Sequence, residues 1–367
     1  MASTVKIISP IHGDILNRHD GIEKDGQLAI GVFGEAPEAA QVKVNGKVAE
    51  REGQLFRAKV ALTEAKTDLV AELADGSGRD TVTVLWDQGS KKRYRFSLDD
   101  NILFLRDIAQ DPAAYPSLFD HRYLAFWRRM HEEYGTKVHI NLYYQDVEHT
   151  FNLSQFPERY RDEWQANADW LRLSFHALQD KPDRIYQDAT YQQMARDFEL
   201  VMEEIYRFAG REVTSTFTTV HWAEAPREAC RALRERGIEG LLGLFVTSAP
   251  DASFTRYYLS KELGAHIAER EAWKDFEEDI VFISCDAVVN GLTLAEIVPY
   301  LDDIELNPHR LDMMELLIHE QYFRQELFYH QPNVLEKVET SIKWVAERGY
   351  EPTFWQEGLL EGLRTED

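Results

Sequence analysis

The sequence predicts a two-domain protein, with a small all-β domain over residues 1–90 and a larger α/β domain over residues 91–367. Three observations lead to this division. Short segments of alternating polarity fill the chain up to Trp86, a polar stretch from Asp87 to Lys92 follows, and strands then alternate with helices. A period of two is typical of half-buried antiparallel strands, whereas strands separated by helices favour a parallel sheet.

The N-terminal domain is predicted to be a β-sandwich. Alternating segments are QLAIGVFG, QVKVNGKVAE, QLFRAKVAL, TDLVAELA and TVTVLW. The pair Asn45-Gly46 indicates a two-residue hairpin, because a type I′ turn needs positive φ at both central positions. No long helical period interrupts these segments, so an immunoglobulin-like sandwich is the simplest arrangement that buries one face of each strand. The ISP opening and the VNG hairpin also resemble bacterial immunoglobulin-like accessory modules.

Four helices are predicted in the second domain from capping residues and apolar spacing. Their spans are Ser117 to Gly135, Met194 to Gly210, Pro226 to Gly237 and Asn333 to Gly349. The last helix is expected to bury Leu335, Val338, Ile342 and Val345. Between the helices lie the apolar segments VHINLYY, WLRLSF, TSTFTTV, DIVFIS and MELLI. Five or more strands separated by helices, over about 275 residues, predict a parallel sheet closed or nearly closed into a (β/α) barrel.

Charge and cysteine content narrow the class of function. The chain has 41 Lys plus Arg against 64 Asp plus Glu, a formal charge of −23, so we expect neither nucleic-acid nor anionic-membrane binding. Two cysteines, Cys230 and Cys285, are too few for a disulfide framework or a cysteine-rich zinc site. With no basic segment followed by a long apolar one at the N-terminus, we expect a cytoplasmic protein; an exported form with its signal trimmed would look the same.

Carboxylates and imidazoles follow the predicted strands at their carboxyl ends. They are Asp99-Asp100, His176, His221 with Glu224, Asp286, and His319 with Glu320. Each alone is more often a turn, cap or surface residue. In a barrel, however, these ends share one face, where the chemistry of such folds collects. Together they predict a divalent-cation site in which one of two adjacent carboxylates binds the ion and the other acts as a general base.

The order of these motifs resembles the polysaccharide deacetylase family, also called carbohydrate esterase family four. The matching segments are FSLDD, VHINLYY, LSFHALQD, TTVHWAEA and LLIHEQYF, and the resemblance runs from about Arg93 to the C-terminus. It implies a distorted (β/α) barrel that carries a metal-dependent hydrolase. It also implies that Asp99 is the base, that Asp100 and His176 bind the metal, and that His319 is the acid.

Two motifs depart from the family pattern and leave the third metal ligand open. Asp180 stands where the family has a second histidine, and Val220 to Ala225 contain no arginine to orient the base. His221 or Asp180 can complete the set. His221 is preferred, since it directly follows a β-branched run, whereas Asp180 precedes Lys181-Pro182 and is typical of a loop. One carboxylate and two imidazoles suit zinc or a related divalent ion.

The leading hypothesis is metal-dependent removal of an N- or O-linked acetyl group from a sugar, so the expected partner is a carbohydrate. One alternative is a glycosidase that pairs Asp99 with Glu224 or Glu320, which requires a characteristic carboxylate separation. Another is a carbohydrate-binding barrel without catalysis. Tyr143, Tyr144, Trp222 and Tyr322 can offer flat surfaces to a sugar ring or simply pack. The sequence sets neither the oligomeric state nor the sugar.

Overall fold

A computed structural model describes residues 4–245 and 256–364 of the chain. These residues form two compact units. The first unit draws on Met1–Ser90, Ala272–Phe276 and Leu359–Asp367, and the second on Lys91–Glu271 and Glu277–Gly358. The ranges 1–90 and 91–367 stay a prediction, because two short later segments group with the N-terminal residues.

The first unit contains two five-stranded sheets. Its strands are β1 (Lys6–Ser9), β2 (Ile15–Leu16), β3 (Gly21–Lys24), β4 (Gln27–Glu35), β5 (Val42–Val44), β6 (Lys47–Val48), β7 (Glu50–Glu52), β8 (Leu55–Leu62), β9 (Lys66–Leu73) and β10 (Arg79–Trp86). One sheet has the order β1-β4-β8-β7 with β3 on β4, and the other has the order β2-β10-β9-β5-β6. The pair β2–β10 is parallel and the other pairs are antiparallel.

Alternating polarity explains how this unit builds its core. Residues of β4 and β8 are buried and exposed in turn, and buried side chains from both sheets join one hydrophobic cluster. The predicted hairpin is confirmed, since β5 and β6 pair around Asn45 (φ 45°) and Gly46 (φ 78°). The immunoglobulin-like assignment itself stays a prediction.

The second half of the chain is a mixed α/β structure. Its strands are β11 (Arg93–Asn101), β12 (Val138–Tyr143), β13 (Leu171–Ala177), β14 (Phe217–Thr218), β15 (Gly240–Gly243), β16 (Ala272–Asp275), β17 (Ile280–Ser284), β18 (Ala287–Val288), β19 (Met313–His319) and β20 (Glu351–Pro352). Its α-helices are α1 (Leu103–Gln110), α2 (Arg122–Tyr134), α3 (Arg161–Ala166), α4 (Tyr191–Phe208), α5 (Arg227–Arg234), α6 (Lys261–Arg270), α7 (Leu294–Glu305) and α8 (Val334–Glu347). Strand β16 belongs to the segment that groups with the first unit.

Parallel pairing in the second unit gathers the carboxyl ends of its strands. One sheet has the order β13-β12-β11-β19-β18 with β20 on β11, and β14, β15 and β17 pair in a second sheet. All these pairs are parallel. A single parallel bridge joins Leu173 of β13 to Thr214, just before β14. The closed or nearly closed barrel stays a prediction.

Burial of the central strands follows from their composition. Strands β11, β12 and β19 are buried along almost their whole length, as expected for parallel strands covered on both faces. Polar side chains inside these strands must therefore find partners within the fold. That requirement concentrates hydrogen-bonded polar groups beneath the strand ends.

The predicted helices are present, with shifted ends. Ser117 caps a single 3₁₀ turn, Leu118–Asp120, and His121 caps the α-helix that follows, so α2 starts later than expected. The expectation that Leu335 points inward was wrong: it is exposed, and its neighbour Val334 is buried instead. Only Phe217–Thr218 of the segment TSTFTTV is a strand. None of the described helices is long and apolar enough to cross a bilayer.

Candidate metal centre

The site begins at the end of β11, where Asp99 and Asp100 face different surroundings. The register between β11 and β12 shifts between Leu98 and Asn101, and Asp100 has a φ of 62°. An irregularity of this kind re-aims side chains at a strand end. Aspartate tolerates the left-handed region better than most residues, which suits it to this position. The two adjacent carboxylates therefore make separate sets of contacts.

His176, at the end of β13, is held in one orientation by the backbone. Its Nδ1 lies 2.6 Å from the carbonyl oxygen of Thr219 and donates to it. In the neutral ring, Nε2 is then the nitrogen with a free lone pair, and it lies 3.0 Å from Oδ1 of Asp100. A carbonyl that fixes one ring nitrogen in this way orients the other one as a metal ligand.

His221 brings the second imidazole to the same point from the turn after β14. Residues Trp222 and Ala223, with φ of 66° and 48°, form a left-handed turn directly after it. Its Nδ1 lies 3.2 Å from Oδ1 of Asp100 and 3.2 Å from Nε2 of His176. One ligand atom from each of Asp100, His176 and His221 lies within 4.8 Å of the others. This donor set fits zinc or a related divalent ion, and three protein ligands leave room for water or substrate.

Electrostatics around the three groups favour a positive charge between them. Burial raises the pKa of Asp100, but His319, His176 and His221 outweigh it and hold that pKa well below its usual range. Burial lowers the pKa of His221, but its hydrogen bonds to Asp100 and Asp180 raise that pKa to about 9. The carboxylate is thus balanced by a proton on His221, a role that a divalent cation can take over.

Asp180, the alternative third ligand, contacts the outer side of His221. Its Oδ1 lies 3.5 Å from Nε2 of His221, the ring nitrogen that is not nearest to Asp100. Its side chain is more exposed than that of Asp100, 38% against 10%. A carboxylate placed behind a ligating histidine usually orients the ring and raises its basicity.

Asp99 is anchored by neutral groups rather than by an arginine. Its Oδ1 accepts hydrogen bonds from Nδ2 of Asn141 at 2.7 Å and from Oγ of Ser97 at 2.9 Å. Asn141 lies on the neighbouring strand β12, and sequence reasoning missed it. An asparagine inside the fully buried segment VHINLY was the available signal, because a buried amide needs partners.

His319 stands across from Asp99 at the end of β19. The two residues are register partners in the parallel pair β11–β19. Nδ1 of His319 lies 2.9 Å from Oδ1 of Asn290, so the amide oxygen accepts the Nδ1 hydrogen and orients the ring. Asn290 was also missed, because it lies in a turn about thirty residues earlier in the chain, within Val289–Gly291.

Two further side chains hold Asp100. Nε2 of Gln321 donates to Oδ2 of Asp100 at 2.7 Å, and the hydroxyl of Tyr143 donates to Oδ1. The same hydroxyl lies 2.9 Å from Nδ1 of His221. The ring of Tyr143 is 2% exposed, so it is a buried partner of this cluster rather than a surface for a sugar.

The contacts of Glu320 and Glu224 do not support the glycosidase alternative. Glu320 is fully buried, and its two oxygens accept the backbone N–H groups of Ile102, Leu103 and Phe104 at 2.9, 2.9 and 2.6 Å. Glu224 does not line the cavity that contains Asp99. The glycosidase alternative stays a prediction. In the structure, the carboxylate of Glu320 already accepts hydrogen bonds from the backbone at the start of α1.

Asp286, which also follows a strand, belongs to a different group of charges. Its Oδ1 accepts from Arg310 and its Oδ2 accepts the N–H of Glu315 at 2.7 Å. These hydrogen bonds join the segment after β17 to Arg310, which precedes β19, and to Glu315 within β19. They leave Asp286 outside the cavity described next.

A cavity of about 420 Å³ brings the predicted site residues together. Its walls contain Asp99, Asp100, His176, Asp180, Lys181, Thr219, His221, Trp222, Ala223, Leu242, Gly243, Leu244, Cys285, Val288, Leu317, His319, Gln321, Tyr322 and Tyr329. All five residues expected to act in catalysis or metal binding face this one space. Tyr144, by contrast, is not among its walls.

Comparisons with known proteins give distant structural similarity. No family model matches the chain, and no curated protein matches it. A solved structure described as "putative polysaccharide deacetylase" from Mycobacterium smegmatis is 12% identical, covering 74% of this chain and 90% of that one, with a TM-score of 0.45. A GH5 xyloglucanase from Bacteroides ovatus is 9% identical, covering 92% of this chain and 100% of that one, with a TM-score of 0.28. At these values the comparisons assign no family, so function is argued from the site.

Proposed function

We propose that the second unit is a divalent-metal-dependent hydrolase that removes acetyl groups, N- or O-linked, from a carbohydrate. One observation carries the proposal. A carboxylate and two imidazoles converge within 4.8 Å in the same cavity as a second carboxylate, Asp99, and a third imidazole, His319. Metal ligands, a base and an acid are the groups that metal-assisted acyl hydrolysis requires.

Asp100, His176 and His221 would hold the ion, and zinc suits this donor set. When bound, such an ion polarises the acyl carbonyl and lowers the pKa of water. Tyr143 and Gln321 keep Asp100 in place, and the Thr219 carbonyl keeps Nε2 of His176 directed at the cluster. The ligands are therefore positioned before anything binds, which reduces the cost of binding.

Asp99 is proposed as the general base. Its Oδ1 is occupied by Asn141 and Ser97, so Oδ2 is the oxygen that can take a proton from water in the cavity. Neutral donors hold the carboxylate without adding a positive charge beside it.

His319 is proposed as the general acid. Asn290 fixes Nδ1, so Nε2 is the atom that gives a proton to the departing nitrogen or oxygen. In the balanced reaction, water oxygen bonds to the acyl carbon and the bond from that carbon to the leaving atom breaks. Asp99 takes a water proton, the leaving atom takes one from His319, and no redox change occurs.

The carbohydrate partner is supported by the motif order and by aromatic side chains at the cavity mouth. Trp222 and Tyr329 line the cavity and are 41% and 55% exposed, which allows stacking against a sugar ring. The net charge of −23 supports the proposal that neither nucleic acid nor an anionic membrane is the partner.

Acetate release from acetylated oligosaccharides by the zinc-loaded full chain tests the proposal. We expect turnover that a chelator abolishes and zinc restores, and losses of about 100-fold or more in Asp99→Asn and His319→Ala, with zinc still bound. Asp183→Asn, an exposed carboxylate near the site, is the matched control and should retain activity. Unchanged release in both active-site variants would contradict the roles, and sugar binding without release would favour the non-catalytic alternative.

A further inference from the structure

The cavity is chemically divided, and its division points to what the substrate carries. Its carboxylates and imidazoles come from the ends of β11, β13, β14 and β19. Its apolar walls are Leu242, Leu244, Cys285, Val288 and Leu317, which we call the apolar half. These residues come from the ends of β15 and β17 and from β18 and β19.

The apolar half is less exposed than the aromatic residues at the mouth of the cavity. Leu242, Leu317 and Cys285 are 1%, 6% and 6% exposed and Leu244 and Val288 are half-buried, whereas Trp222 and Tyr329 are 41% and 55% exposed. Cys285 offers no free donor here, since its thiol is directed at the carbonyl oxygen of Glu315 at 3.9 Å. The walls of this half therefore offer little hydrogen bonding to a ligand.

This chemistry fits an alkyl chain and not a sugar. Hydroxyl groups placed against such walls would lose their hydrogen bonds to water and gain none in return, which is unfavourable. A polar leaving group is better placed at the open mouth, beside Trp222, Tyr329 and water. The apolar half is then left for the acyl side of the scissile bond.

We propose that the apolar half receives an unbranched acyl chain longer than acetyl, so that the preferred substrate is a longer-chain N- or O-acyl sugar. The proposal rests on the proposed hydrolase function and specifies its acyl group. Leu244, Cys285 and Val288 also line a second cavity of about 420 Å³, whose other walls include Phe245 and Leu292 but also the charged pair Asp286 and Arg310. The acyl chain is therefore assigned to the first cavity alone.

Calorimetric binding of straight-chain hydroxamic acids, from acetohydroxamic to octanohydroxamic acid, to the zinc-loaded full chain tests the proposal. We expect affinity to rise about fourfold per added methylene until the apolar half is filled. Val288→Phe should flatten this dependence by occupying the space. Val298→Phe, which adds the same volume at an exposed position of α7, should leave it unchanged.

Two kinetic series separate the acyl side from the leaving group. kcat/KM is measured for p-nitrophenyl acetate, butyrate and hexanoate, and for acetate esters of alcohols of increasing length. We expect the rise in the acyl series. A rise confined to the alcohol series, or affinity for the hydroxamic acids that is independent of chain length, would overturn the proposal.

Straight-chain carboxylic acids titrated into metal-free protein give the chain-length dependence without the ion. This arm separates the two proposals. Absence of zinc binding or of acyl turnover would remove the hydrolase, while the carboxylate series would still support or overturn an alkyl site. Loss of the chain-length dependence in Val288→Phe, with zinc stoichiometry unchanged, would support the alkyl site specifically.

Discussion

Asp99 and His319 face each other in register across the parallel strand pair β11–β19. Because neighbouring parallel strands lie about 4.8 Å apart, this pairing sets the distance between the two groups without any loop. The proposed base and acid are therefore carried by two adjacent buried strands. Each is oriented in turn by an asparagine, Asn141 for Asp99 and Asn290 for His319.

Asn141→Leu should lower kcat by about 10- to 100-fold and leave KM and zinc stoichiometry little changed. The substitution removes the 2.7 Å hydrogen bond to Oδ1 of Asp99 but keeps a side chain branched at Cγ. Steady-state kinetics and metal analysis on the same preparations check this. Ser174→Ala on the adjacent strand is the matched control, since no partner of its buried hydroxyl occurs among the described residues. Equal losses in both variants would show that Asn141 acts only through packing.

Asp180→Asn should weaken zinc binding by about 10-fold or more, because the Asp180 carboxylate supports the outer nitrogen of His221. Competition with a chromophoric chelator measures the dissociation constant. Asp183→Asn, three residues along the same exposed loop, controls for the loss of one negative charge. A complete loss of zinc in Asp180→Asn, with His221→Ala still loaded, would instead make Asp180 the third ligand.

Glu320→Ala should destabilise the second unit by about 3 kcal/mol. Three backbone N–H groups at the start of α1, two of them on buried residues, would lose their acceptor, and each such bond contributes about 1 kcal/mol. Urea unfolding of the variant measures the change. Glu320→Gln keeps one acceptor oxygen, so its unfolding free energy should lie between those of the natural protein and Glu320→Ala. A glycosidase role for Glu320 would predict the reverse, with catalytic loss at full stability.

Glu315 should make the stability of the protein depend on pH. Burial raises the pKa of Glu315 to about 7, although Arg95 and Trp355 act to lower it. The pKa of this carboxyl group in the unfolded chain is about 4.3. The stability gained from the protonated form of Glu315 is therefore complete below about pH 4.3 and is lost as pH rises through 7. The difference in unfolding free energy between the natural protein and Glu315→Gln should fall by about 2 kcal/mol from about pH 5.5 to about pH 8.5. A difference that stays constant over this range would contradict the raised pKa.

The position of a site residue could be predicted from the sequence where that position depends only on neighbouring residues in the chain. Asp99, Asp100, His176 and His319 follow apolar segments, and parallel strands end at a common edge, so their shared cavity follows from the pattern. Asn290 could not be found in this way, because its role depends on a contact across a loop. Gln321 follows the same strand end, two residues after His319, and no role was predicted for it. Asn141 was hidden inside a strand that was treated only as core.

In the fold, too, the features set by a few neighbouring residues could be predicted, and the features set by contacts between distant segments could not. The hairpin at Asn45-Gly46 and the helix spans follow from turn and capping chemistry within a few residues. The orientation of Leu335 was missed, because a shift of one residue moves a side chain about 100° around a helix. Closure of the strands into a barrel depends on pairing between distant segments, which no local pattern determines.

Anomalous diffraction at the zinc edge, from crystals of the zinc-loaded protein, tests whether Asp100, His176 and His221 bind a metal ion. We expect one strong peak bonded to Asp100, to Nε2 of His176 and to Nδ1 of His221, at about 2.0–2.2 Å from each ligand atom. The peak should vanish in His176→Ala. A structure in which zinc lies elsewhere, or in which the three side chains stay together around no ion at saturating zinc, would contradict it.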